Sequence, residues 1–358
     1  MLSDFSDGEV EVFFMKIITI EVLTTLIHRH GFKEFMCDLI ETLRYDFSHW
    51  QNFTHMPRPA MHVPGGVLEL MPICDNEKYF TYKYVNCHPK NPSKHKMTVV
   101  ATGQLSEIAS GYPVMVSEMT LLTAFRTAAT SALATDLLSR VSAQTVAIIG
   151  TGAQSEFQIH ALKLVRNIKE VRYFDIDPKA MDKFASNMKG QNLKLDRSNS
   201  IEEAVNGADI ITVCTATKAN VEVLKSKWVQ EGGHINALGG DTVGKTELEL
   251  DILYRSKIVI EYFEQSVIEG EIQGFGRDEA KKRVHAQLNE IITKKKEGRT
   301  NDHEITLFDS VGIGLEDYSA LRLTYDLANK YSIGEDKNLV PLLDDPKNLF
   351  SIINEQKQ

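Results

Sequence analysis

The chain is short of cysteine, of basic excess and of long apolar runs. Its four cysteines, Cys37, Cys74, Cys87 and Cys214, are scattered over 358 residues without a C-x-x-C pair. That excludes a zinc-ribbon spacing and a dense disulfide framework, and predicts reduced thiols in a cytoplasmic protein. Forty basic against 49 acidic side chains give a net charge of −9, the wrong sign for a general polyanion binder, so no nucleic-acid partner is expected. No apolar run approaches the ~20 residues of a membrane span, so no membrane partner is expected either. Asp4, Asp7, Glu9 and Glu11 give the N-terminus the wrong charge for a signal peptide.

What is present is ordinary globular composition, 42% hydrophobic and 25% charged, at a length that favours two domains. After an acidic leader, Met1 to Phe14, apolar positions recur at three- and four-residue spacing from Ile17 to about Arg44. They predict two amphipathic helices broken near Gly31. From Met56 to Val116 the texture turns β-branched and aromatic, punctuated by glycine and proline. Val67–Met71, Tyr79–Val85 and Thr98–Thr102 read as strands of a mainly antiparallel or mixed sheet. An alanine-rich helix, Thr120 to Arg140, leads into a second regime of alternating strands and helices: strands at 145–149, 170–174, 209–214, 234–238 and 257–261. That alternation predicts an α/β fold, a Rossmann-type doubly wound parallel sheet joined to an α+β domain. A final helix, Tyr318 to Tyr331, is expected to return to the first domain.

Gly150-Thr151-Gly152-Ala153-Gln154-Ser155 follows an apolar strand and opens a helix. Gly150 permits a tight turn, and Gly152 lets the backbone approach a pyrophosphate that the helix N-terminus stabilises. Ser155 stands where a third glycine is usual. Asp175, at the end of the next strand, suits a ribose and repels a 2′-phosphate, favouring NAD over NADP. A ligand-free βα turn, with Asp175 as a helix cap before Pro178, is the alternative.

Several blocks around these residues resemble the ornithine cyclodeaminase/μ-crystallin family, over about Ile17 to Leu349. They are Leu68–Pro72, Phe80–Pro89, Phe125–Ser131, Ile149–Gln158, Gly239–Leu248 and Phe308–Gly312. Gly239-Gly240-Asp241 with Lys245-Thr246-Glu247-Leu248 behind it marks the cyclodeaminase branch. Val243 departs from that pattern, where proline is typical.

The resemblance implies conversion of L-ornithine to L-proline and ammonia, with NAD⁺ recycled inside one active site. It implies a substrate carboxylate held by Arg58, Lys83 and Arg126, chemistry that suits guanidinium forks and a point-charge ammonium. Arg126 would also lie near the nicotinamide, and Val311 would touch substrate. Asp241 is the implied proton shuttle, with a turn-capping role as its alternative. Glu69 either holds the amine end or forms a structural ion pair with a basic residue. Cofactor contacts carried over are Thr98, Arg126, Gly150, Gly152, Ala153, Gln154, Asp175, Thr215, Asn236, Ala237, Leu238, Lys245 and Ser310, although Lys245 could instead pair with Glu247. No metal is implied. The expected division is 1–130 for substrate binding and dimerisation, rejoined by about 318–358, and 131–317 for NAD. Alternatives are an NAD(P)-dependent amino-acid dehydrogenase, a ketimine reductase, or a μ-crystallin-like protein that binds NADPH or a small ligand. A homodimer is the expected assembly.

Overall fold

The fold comes from a computed structural model that describes residues 14–216, 221–240 and 242–354. The acidic leader up to residue 13, and Asp241 itself, lie outside the described residues.

The helical pattern near the N-terminus resolves into α1 (Ile20–His30) and α2 (Phe32–Ser48), with Gly31 between them. Ile17 belongs instead to a short strand, β1 (Met15–Ile18). The strand-rich segment forms β2 (Ala60–Val63), β3 (Gly66–Cys74), β4 (Tyr79–Cys87), β5 (Val99–Glu107) and β6 (Pro113–Glu118). With a late strand, Glu335–Lys337, they make a mixed sheet in which β1 and β6 run parallel while β2 to β6 are antiparallel. One face of this sheet is covered by the long helix Gly314–Tyr331, which packs on β3, β4 and β5 and against α2. That helix begins four residues before Tyr318, where the sequence pattern places its start.

The alanine-rich run becomes α3 (Thr120–Leu138), started by the Glu118 carboxylate, which accepts from the Thr120 and Leu121 N–H groups. Twelve of its residues are buried, so this is a central helix rather than a solvent-facing connector. It packs against α2 on one side and α4 (Ser155–Val165) on the other. A boundary drawn at residue 130 therefore falls inside a continuous helix that both halves share.

Beyond it lies an all-parallel sheet. Its strands are β7 (Thr145–Ile149), β8 (Glu170–Phe174), β9 (Lys194–Arg197), β10 (Ile210–Val213), β11 (His234–Ala237), β12 (Ser256–Ile260), β13 (Val284–Gln287) and β14 (Ile305–Asp309). The order is β13-β12-β14-β11-β10-β7-β8-β9, a doubly wound arrangement. β9, β13 and β14 do not stand out in the sequence. β14 is the important one, because it sits mid-sheet between β12 and β11 and carries Ser310 to Gly312 off its end.

Phe125 on α3 holds the halves together: its ring meets Phe35 of α2 and Phe157 of α4 edge-on, each at 5.1 Å. Phe125→Ala is expected to cost about 3–5 kcal/mol, since a fully enclosed ring leaves a cavity that cannot collapse from both sides. Urea unfolding monitored by circular dichroism checks this. A cost below about 1 kcal/mol would mean that α3 is not the joint.

Candidate functional site

The carboxyl ends of the parallel strands face the inner surface of the mixed sheet. On that surface strand alternation turns Glu69 and Lys83 to the same side, with Met71 opposite Lys83 and Glu69 opposite Val85. Lys83 is 1% exposed. Its ammonium donates to Asp317 Oδ1 at 2.8 Å, and the Arg126 Nε donates to the same oxygen at 3.1 Å. Arg126 Nη1 also donates to Glu316 Oε2 at 2.5 Å. Burial, reinforced by the neighbouring Arg126 charge, pushes the Lys83 ammonium down to about 8.

Arg58 approaches from the other side. Its Nε donates to Glu269 Oε2 at 2.8 Å, its Nη2 donates to the Val311 carbonyl at 3.2 Å, and Glu69 Oε1 lies 3.4 Å from Nε. The structure thus brings Arg58, Glu69, Lys83, Arg126 and Val311 into one buried cluster, with Glu69 as an ion-pair partner of Arg58. Glu261, Glu269, Glu316 and Asp317 complete it and are not singled out by sequence reasoning. Glu316 and Asp317 look like an ordinary acidic first helical turn, and the only sequence signal was their adjacency to the Phe308–Gly312 block.

The glycine turn fits a dinucleotide. Gly150 has φ +93°, and a Cβ there would meet the Cys214 carbonyl oxygen at 2.8 Å, so only glycine is accommodated. A Cβ on Gly152 would meet nothing within 4 Å, which leaves the turn open to a ligand. Gln154 has a buried Oε1 with no hydrogen-bond partner among the described residues. Asp175 Oδ2 accepts from the Thr151 N–H at 2.6 Å and the Thr151 hydroxyl at 3.2 Å, bracing the turn at the end of β8. Ala153 lies in the same turn.

At the end of β11, Ala237 and Leu238 continue along the edge, with the Leu238 N–H donating to Val213. The Asn236 side chain turns inward instead, to His234 and to Thr135 of α3. Ser310 donates its hydroxyl to Glu261 at 2.5 Å. Lys245 lies 3.5 Å from Glu247, which also accepts from the Thr215 hydroxyl, so Lys245 and Thr215 share one buried carboxylate. Thr98 sits just ahead of β5, several positions before Gly103, which pairs with Lys83. Its carbonyl accepts from the His88 N–H at 2.8 Å.

Asp241 lies outside the described residues, but the turn leading to it is explained. A Cβ on Gly239 would meet Glu247 Oε2 at 1.6 Å, so glycine is obligatory against that buried carboxylate. Glu271 accepts from the Glu247 and Leu248 N–H groups at 2.9 and 3.0 Å. Its carboxyl is pushed up to about 8 by burial and by Asp309. Asp309 in turn accepts from the Glu271 and Ile272 N–H groups, and burial pushes it up to about 7.

Against known proteins, residues 21–332 match the model of the ornithine cyclodeaminase/mu-crystallin family. An ornithine cyclodeaminase of Brucella abortus is 45% identical over 336 residues, 94% of this chain and 92% of that protein. An alanine dehydrogenase of Archaeoglobus fulgidus is 35% identical, over 78% of this chain and 85% of its own. Among solved structures, a lysine cyclodeaminase described for its recognition of L-lysine, L-ornithine and L-2,4-diaminobutyric acid superposes with a TM-score of 0.88. It is 27% identical and covers 94% of this chain and 99% of its own. An archaeal alanine dehydrogenase dimer with bound NAD superposes with a TM-score of 0.83 at 32% identity, covering 91% of this chain and 100% of its own. This chain therefore belongs to the ornithine cyclodeaminase/μ-crystallin family.

Proposed function

We propose that the chain is a cytoplasmic, NAD-dependent ornithine cyclodeaminase that converts L-ornithine to L-proline and ammonia. The observation that carries the reading is the buried meeting of Arg58, Lys83 and Arg126 with the loop Ser310 to Gly312, at the carboxyl edge of the parallel sheet. The 45% identity to an ornithine cyclodeaminase over nearly the whole chain supports it. So does the sequence Gly239-Gly240-Asp241, whose first glycine is dictated by the Glu247 carboxyl and whose second lies tight against the Gly270 backbone and Glu271.

Gly150, Gly152, Ala153 and Gln154 are assigned to the cofactor pyrophosphate, and Asp175 to a ribose. Thr98, Arg126, Thr215, Asn236 to Leu238, Lys245 and Ser310 are assigned to the rest of it. When bound, the dinucleotide supplies hydride chemistry at the substrate Cα. The chain's own side chains do the remainder. Lys83 and Arg126 hold the carboxylate, with Arg58 and Val311 closing the same pocket. Glu69 takes the amine end. Asp241 accepts a proton from the distal ammonium, making that amine nucleophilic, and returns one to the departing ammonia. The enclosure excludes water that would hydrolyse an imine.

Supplied with NAD⁺ and L-ornithine, the purified protein should release proline and ammonia in equal amounts without accumulating NADH, as read by amino-acid analysis and absorbance. Asp241→Asn should abolish both products while NAD⁺ binding is kept. Steady NADH formation on alanine, with no proline from ornithine, would point to a dehydrogenase instead.

The Lys83 ammonium carries its charge below about 8 and loses it above. A carboxylate ligand without amines, pentanoate, keeps one charge across that range. Its Kd with the NAD⁺-loaded protein should therefore rise roughly tenfold as pH passes from 7 to 9, the size of one lost charge-assisted contact. A flat calorimetric profile would remove Lys83 from the carboxylate site.

We further infer a homodimer formed through the open face of the mixed sheet. There Leu70, Phe80, Tyr84 and Val100 are 44%, 37%, 38% and 44% exposed, and Leu70 pairs directly with Tyr84 across β3 and β4. Light scattering should give twice the chain mass, and Phe80→Glu with Tyr84→Glu should shift it to the monomer. A monomeric wild type would contradict this surface.

A further inference from the structure

Two fully buried glutamates stand side by side behind Arg126. Glu261 follows β12, and both its oxygens are occupied: Oε1 accepts from the Ser310 hydroxyl at 2.5 Å, while Oε2 accepts from the Val311 and Gly312 N–H groups at 2.9 and 2.7 Å. Glu316, in the first turn of the helix Gly314–Tyr331, gives Oε2 to Arg126 at 2.5 Å. Its Oε1 is buried and has no donor among the described residues. Glu261 lies within hydrogen-bonding reach of the Glu316 carboxyl. Two ionised carboxylates in contact, out of water, repel each other, and an orphan buried oxygen costs free energy unless something fills its valence. A single proton resolves both problems.

We propose that Glu261 and Glu316 share one proton, held on Glu316 Oε1 and donated to Glu261, and that this pair is a positioning device for Arg126 and the Ser310–Gly312 loop. The arrangement fixes the loop that carries Val311 at a set distance from Arg126. It also leaves Arg126 facing one ionised carboxylate, Asp317, rather than two, so its positive charge is available to an incoming anion. The role rests on the reading of Arg126 as a carboxylate-binding residue. The charged groups around the pair are Arg126 from α3, Asp317 beside Glu316, and Asp309 at the end of β14. Lys83 and Arg58 act through Asp317 and Arg126. Burial and the facing Glu261 raise the Glu316 carboxyl well above its ordinary range, in agreement with a retained proton.

Glu316→Gln tests this without altering shape: the amide N–H takes the place of the acid proton towards Glu261, and the amide oxygen still accepts from Arg126. The expected result is an unchanged melting temperature and a pentanoate Kd that rises by less than about thirtyfold. Glu261→Gln puts an N–H against the loop donors. It should raise KM and the pentanoate Kd at least about tenfold, the mark of a misplaced loop. Infrared difference spectra supply a direct readout: at neutral pH, wild type minus Glu316→Gln should contain the carbonyl stretch of a protonated carboxylic acid, shifted in D₂O. A Glu316→Gln protein that fails to fold, that loses more than about thirtyfold in pentanoate affinity, or whose difference spectrum lacks the acid band overturns the proposal. The pentanoate and infrared measurements need no turnover, so they stand apart from whether ornithine is the substrate.

Discussion

Everything in the site depends on taking two cations, Lys83 and Arg126, out of water and setting them on one carboxylate oxygen of Asp317. Burying such charges costs several kcal/mol per ion unless partners repay it. Three elements remote in sequence must therefore arrive together: β4 with Lys83, α3 with Arg126, and the helix Gly314–Tyr331 with Asp317. That requirement explains why the last helix returns to the mixed sheet after the parallel sheet is complete. It also explains why α3 is buried nearly all round. The cluster keeps its charges only while all three elements stay packed, so fold and carboxylate recognition are one constraint.

The second organising device is a series of buried carboxyls at the carboxyl edge of the parallel sheet. Loops there run through protein interior, and their N–H groups need acceptors. Asp309 serves Glu271 and Ile272, Glu271 serves Glu247 and Leu248, and Glu261 serves Val311 and Gly312. An acid at each position can satisfy two or three donors at once, where an apolar residue would leave them orphaned. The cost is burial of the acids and, after it, their mutual repulsion, and raised proton affinity at Glu271 and Asp309 expresses both. The Gly239–Gly240 turn before Asp241 is shaped by this series.

What was legible in the sequence follows from locality. The strand–glycine turn–helix from Thr145 to Val165 is specified by adjacent residues, as is the inward direction of Lys83 between Tyr82 and Tyr84. The family blocks located Arg126 and Val311, and the wider family pattern Arg58. Partners defined by long-range packing were not legible: Lys83 and Asp317 are separated by 234 positions, and nothing local in Leu315-Glu316-Asp317 distinguishes a buried ion pair from a solvated helix start. β14 escaped because five residues with only Ile305, Leu307 and Phe308 apolar cannot be told from a buried loop until their neighbours in the sheet are known. The alternatives left open for Glu69 and Lys245 depended on distances of 3.4 and 3.5 Å, which spacing in sequence does not encode.

The most direct test is a crystal structure of the protein with NAD⁺ and L-ornithine, or with an unreactive analogue that keeps the carboxylate. The account predicts the ligand carboxylate within hydrogen-bond distance of Lys83 Nζ and the Arg126 guanidinium, with Asp317 still holding both cations from behind. A carboxylate bound elsewhere, with Lys83 and Arg126 engaged only by Asp317 and Glu316, would contradict it.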